Sequence, residues 1–141
     1  MALTKVLITV KTYPTLSEKY DELVCTAGFR EDGTWVRIFP VPFRKLNYQN
    51  QYEKWQWIEI DLVKNTSDFR PESYRPTDLD KEIRILDKVD TKSDWGKRKL
   101  LIGDKIWNNM TELIAEAKDP QIGTSLAIVK PKEIIDFVWE L

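Results

Sequence analysis

Apolar and polar residues alternate along most of this chain, and only one stretch changes to a helical period. "KVLITV" (5–10) is β-branched at period two and predicts a strand. The polar run 11–21, with Pro14 blocking ladder pairing, predicts a loop. "ELVCTAGF" (22–29) predicts a second strand with Leu23, Cys25, Ala27 and Phe29 on one face. Asp32-Gly33 then predicts a tight hairpin, because glycine tolerates positive φ. The third strand runs from Trp35 to Phe39, where Pro40 and Pro42 end it. Residues 44–54 form a polar connection with room for one helical turn.

"WQWIEIDLVKN" (55–65) alternates again, with Trp55, Trp57, Glu59 and Asp61 on one face and Ile58, Ile60 and Leu62 on the other. Residues 66–80 carry Pro71 and Pro76 and predict an ordered loop or edge segment. Residues 81–89 are strand-like, Ile83 and Ile85 sharing a face. Over 97–118 the apolar residues Ile102, Ile106, Met110, Leu113 and Ala117 recur every three or four positions, which predicts an amphipathic helix. Gly103-Asp104 is a candidate break, with Asp104 capping the second piece. "LAIVK" (126–130) and "EIIDFVWEL" (133–141) predict two further strands.

Five strands, one main amphipathic helix and two more strands give a mainly β (α+β) class. A single domain over 1–141 is expected, built as a small OB-like or PUA-like β-barrel of about seven strands. Closure removes the edges that short strands otherwise expose.

The segment "VCTAGFREDGTWVRIFPVPF" (24–43) carries Cys25, Ala27, Gly28, Gly33, Trp35, Arg37 and Pro40 in a recognisable order. It resembles a pattern in poorly characterised prokaryotic proteins with dual OB-like domains, where a Cys-x-Ala-Gly strand precedes a Gly-x-Trp-x-Arg strand and a proline. The resemblance implies a β-barrel and points toward nucleic acid; it implies no catalytic residue.

Composition narrows the function classes. At 42% hydrophobic residues with 6 Trp, the 141-residue chain has the material for a folded core. No apolar run approaches the roughly 20 residues that span a bilayer, and the first residues lack a secretory cleavage pattern, so no membrane partner is expected. One cysteine forbids an internal disulfide and fits a reducing cytoplasm. Net charge is −1. Residues 1–50 hold 7 basic and 5 acidic groups, 51–100 hold 11 of each, and 101–141 hold 4 and 7. The balance permits a modest basic face without requiring a nucleic-acid surface.

The absence of histidine removes Ser-His-Asp and Cys-His catalysis and the usual Cys/His zinc site within the chain. There is no GxxxxGK or GxGxxG loop. Cys25, on an expected inward face, reads as packing, and no cofactor or metal is called. Four constellations remain. Trp35, Arg37 and Phe39 share a strand face that either stacks bases and meets phosphates or packs as scaffold with Arg37 paired. Arg70 and Arg75, in "DFRPESYR", either grip a phosphate or pair with Asp68 and Glu72. Lys97, Arg98 and Lys99 beside Trp95 suit a phosphate backbone or a solvated face. Glu59 and Asp61, followed by Lys64, faintly echo metal-dependent nuclease sites.

The preferred reading is a nucleic-acid- or nucleotide-binding module serving a larger prokaryotic system. Trp35, Trp57 and Trp95 would stack, and Arg37, Arg70, Arg75 and Arg98 would contact phosphate. Val36 and Ile38 are expected inside the barrel, with Arg37 outside. The rivals are a protein-interaction module, with the aromatics as anchors within a larger complex, and a metal-dependent hydrolase using Glu59 and Asp61. Catalysis is not expected.

Overall fold

The computed structural model describes residues 2–12, 15–16, 22–43, 46 and 51–140. Pro14 and most of the expected helical turn in 44–54 lie outside these. In chain order the elements are β1 (Ala2–Lys11), β2 (Thr15–Leu16), β3 (Glu22–Arg30), β4 (Trp35–Val41), β5 (Gln56–Lys64), β6 (Ser73–Pro76) and β7 (Arg84–Lys88). They are followed by α1 (Lys92–Ile102), β8 (Ile106–Trp107), α2 (Met110–Lys118) and β9 (Ile128–Val129).

The protein is mainly β, and its centre is a closed five-stranded barrel. β1, β3, β4, β6 and β5 pair in that order, and β5 returns to β1. All of these ladders are antiparallel except β4–β6, which is parallel with Arg37 opposite Ser73. β2 extends β3, and β7 extends β5.

Alternation on a closed sheet makes two apolar layers. Inside lie Val6 and Ile8, Val36 and Ile38, Ile58, Ile60 and Leu62, all buried. Val36 and Ile38 thus face inward, as the sequence predicts. Tyr52 joins them from the connection before β5, its hydroxyl bonded to the buried Thr26 hydroxyl. That burial pushes the Tyr52 phenol well above its ordinary ionisation range. Outside, Trp57 stands opposite Leu7, Leu7 opposite Phe29, and Phe29 opposite Trp35. The last two rings meet edge to face at 5.5 Å. Trp55, Val89 and Leu101 of α1 complete this outer layer.

Several expectations change. The 97–118 helix is two helices separated at Gly103–Asn109, and Asn109, not Asp104, caps the second. Its side-chain oxygen accepts from Thr111 N (2.9 Å) and Glu112 N (3.3 Å). Residues 73–76, read as loop or edge, form β6 inside the barrel wall, with Pro76 at the end of the strand where a missing donor is tolerated. Only Ile128–Val129 of the expected 126–130 strand pairs, in parallel with Ile106–Trp107. No strand forms over 133–140, all of it exposed, and Phe137 N donates to the adjacent Asp136 carboxylate. Cys25 is half-buried on the side opposite Val24 and Thr26, so it faces away from the barrel interior. Among the described residues no helix is long and apolar enough to cross a membrane.

Candidate functional site

The β3–β4 hairpin builds one wall of a cleft. Gly33 takes φ +86°, and Asp32 Oδ1 accepts from Thr34 N (2.9 Å) and Thr34 Oγ1 (2.6 Å). The Thr34 hydroxyl bond holds the Asp32 carboxyl below its ordinary range. This turn sets Arg30 and Trp35 together at the hairpin end. Arg30 Nη1 donates to Thr34 Oγ1 at 3.2 Å, and its guanidinium lies 4.7 Å from the centre of the Tyr74 ring on β6.

The opposite wall comes from the C-terminal third. Trp107 on β8, Glu116 on α2 and the segment Thr124–Leu126 face the hairpin across a pocket of about 430 Å³. Arg37 joins the walls. Its Nη2 donates to Ser125 O (3.1 Å) and Oγ (2.9 Å), while Ser125 N and Oγ donate to the two oxygens of Glu72 at 3.1 and 2.8 Å. Thr124 Oγ1 donates to Glu116 Oε1 at 2.6 Å. The cleft therefore has aromatic surfaces from three elements, one cation and two carboxylates. Such a lining can stack a planar ring and hydrogen-bond its edges.

The seven expected site residues fall into separate groups. Trp35 lines the cleft, and Arg37 holds its far wall in place instead of standing free. Trp57 is half-buried in the outer layer, with the Lys5 ammonium 5.1 Å from its ring centre. Arg98 is stacked between Trp55 (4.9 Å) and Trp95 (5.0 Å), and its Nε donates to Val89 O at 2.9 Å. Trp55, Ser93, Asp94 and Trp95 around that stack all have positive φ, a costly backbone for residues with a Cβ. Arg70 is bidentate on Asp68, whose Oδ2 also accepts from Ser73 Oγ at 2.7 Å. Arg75 is exposed on β6.

Glu59 and Asp61 share the outer face of β5, but Asp61 Oδ2 is held by Lys81 at 2.9 Å. Lys64 donates instead to the Arg70 and Ser73 carbonyls. Among the described residues no three His, Cys, Asp or Glu groups gather to hold a metal ion.

Sequence reading missed Arg30, Tyr74, Trp107 and Glu116. Tyr74 lay in a presumed loop and Trp107 in a presumed helix, so neither was counted among the aromatics that share a surface. Tyr74 carries only the signal of a polar-flanked aromatic, and Trp107, next to Ile106, falls within the apolar helical period.

No curated protein and no solved structure matches the chain. One family model matches residues 2–104. That span holds the barrel, the hairpin wall and α1, while Trp107, Glu116 and Thr124 lie beyond it. By this match the chain belongs to the family described as Domain of unknown function (DUF8758).

Proposed function

We propose that the protein binds single-stranded nucleic acid or a nucleotide in the cleft between the β3–β4 hairpin and the C-terminal segment. The observation that carries the reading is the convergence of Trp35, Tyr74 and Trp107 with Arg30 around one open pocket. Aromatic faces stack on bases whatever their identity, and a neighbouring guanidinium meets phosphate or a base edge. A small closed barrel of OB-like or PUA-like kind, akin to the dual OB-like prokaryotic proteins its hairpin resembles, supports the same use. In this reading the protein is a module of a larger prokaryotic system.

The test is binding of a fluorescent single-stranded oligonucleotide at low and moderate salt. Trp107→Ala should weaken it by about 5- to 150-fold, the worth of one stacked base at roughly 1–3 kcal/mol. Binding that is absent at low salt, or unchanged in Trp107→Ala and Arg30→Ala, overturns the reading.

One observation favours a protein-interaction module instead. In the extended segment 133–140, Ile135 and Trp139 are 90% and 84% exposed, and Phe137 and Trp139 stack edge to face. Exposed aromatics of this kind serve as interface anchors. A partner that co-purifies with the wild type and is lost in Trp139→Ala, with no oligonucleotide bound, puts that reading ahead.

A further inference from the structure

We infer that the cleft selects guanine over the other bases. The inference rests on the nucleotide-binding reading above and gives it a ligand. The charged groups of the cleft are of two kinds placed in one pocket: a donor fork, Arg30, and the carboxylates Glu116 and Glu72, with the hydroxyls of Thr34, Tyr74 and Thr124 beside them. Arg30 spends one described hydrogen bond on Thr34, and its position over Tyr74 keeps the guanidinium plane near an aromatic surface. A guanidinium carries five N–H donors, so several remain for a ligand. Glu116 accepts from Thr124 through Oε1, which fixes the carboxylate while leaving lone pairs on both oxygens. Glu72, the other carboxylate, is already engaged at both oxygens by Ser125.

Base edges discriminate between these groups. Guanine presents two acceptors side by side, O6 and N7, which an arginine fork matches bidentately. On the adjoining Watson–Crick edge it presents two donors side by side, N1–H and the N2 amine, which a carboxylate matches. Adenine offers a carboxylate only the lone pair of N1 beside its amine. Cytosine places N3, an acceptor, next to its amine, and uracil flanks its one N–H with two carbonyls. Each of these sets a lone pair against the carboxylate, and a desolvated mismatch of that kind is strongly unfavourable. Guanine alone satisfies a donor fork and a carboxylate on two sides of one stacked ring.

The experiment titrates the full chain with GMP, AMP, CMP, UMP and IMP, following tryptophan fluorescence, and repeats the set with single-stranded hexamers that carry one guanine or none. GMP should bind at least tenfold tighter than AMP, CMP and UMP. IMP, which lacks only the N2 amine, should bind several-fold weaker than GMP, a result that needs no variant. Glu116→Gln should cut GMP affinity about tenfold and raise AMP affinity several-fold, because the amide can donate to adenine N1 while accepting from the N6 amine, with the melting temperature unchanged. Preference for the guanine hexamer with weak GMP binding supports guanine selection within a strand. Equal affinity for GMP and AMP, both weakened by Trp107→Ala, overturns guanine selection and leaves the cleft reading standing. No binding of any mononucleotide or hexamer overturns both.

Discussion

Gly28 shows how much one position can demand. A Cβ built there would stand 1.8 Å from the Leu7 carbonyl oxygen and 2.8 Å from its carbon, both of them backbone atoms of β1. Backbone cannot step aside as a flexible side chain can. Gly28→Ala should therefore force β3 and β1 apart and lower stability by about 3 kcal/mol, the upper part of the range for overpacking. Urea unfolding followed by tryptophan fluorescence measures it, and a loss below about 0.5 kcal/mol would be the contrary result. The sequence shows this glycine next to Ala27 but not its reason. Small residues there suggest room for large neighbours, whereas the structure uses the position for a close strand approach. The alternation around Arg37 is more legible. β-branched Val36 and Ile38 point inward because a charged side chain between them cannot be buried inside without a partner. What the alternation cannot reveal is the partner Arg37 finds outside, Ser125, which lies far along the chain.

Elements with two working faces were readable and elements defined by their neighbours were not. β1, β4 and β5 each carry a period-two pattern long enough to show, since one side meets the barrel interior, and β3 shows one because Phe29 on its apolar face packs in the outer layer. β6 has four residues, one of them proline, and exists because β4 and β5 offer it ladders on both sides. The helical period over 97–118 is real, yet Gly103 (φ +55°) and the Asn109 cap divide it. The connection from β5 to β6 has its own chemistry. Arg70, bonded to the Asp68 carboxylate, holds it far below the usual carboxylate range, with Ser73 adding to the effect. A carboxyl depressed in the folded state contributes stability fully above its unfolded value, and loses it as pH falls through the lowered folded one. Asp68→Asn should therefore destabilise the protein at pH 6, and its deficit against wild type should shrink below about pH 4. Urea midpoints of both proteins between pH 6 and pH 2 provide the comparison; a gap that stays constant down to pH 2 would contradict it.

Across the whole molecule, the cleft is an agreement between two parts of the chain, and the joint is small. Ser125 Oγ accepts from Arg37 and donates to Glu72. Ser125→Ala removes both bonds at a half-exposed position, so global stability should fall by only about 0.5–1.5 kcal/mol. Ligand affinity should fall about twofold or more, because the wall bearing Thr124 and Leu126 is then held only through the Ser125 backbone, by Arg37 on its carbonyl and Glu72 on its N–H. Thermal melts and nucleotide titrations on one preparation separate the two effects; unchanged affinity would show that the joint does not shape the cleft. The far wall of Trp107, Glu116 and Thr124 lies outside the span matched by the family model, which holds the hairpin wall together with Pro71, Glu72 and Tyr74. The closure of the barrel has a separate consequence for biogenesis. β1 needs β5 on one side, and the ring is completed only when β6 slots between β4 and β5. A ribosome extending the chain from its N-terminus must therefore release residues through Pro76 before the ring can shut. Until then β5, β1, β3 and β4 can close no further than an open ribbon with bare edges on β5 and β4, the stage at which a nascent chain is most exposed to wrong pairing.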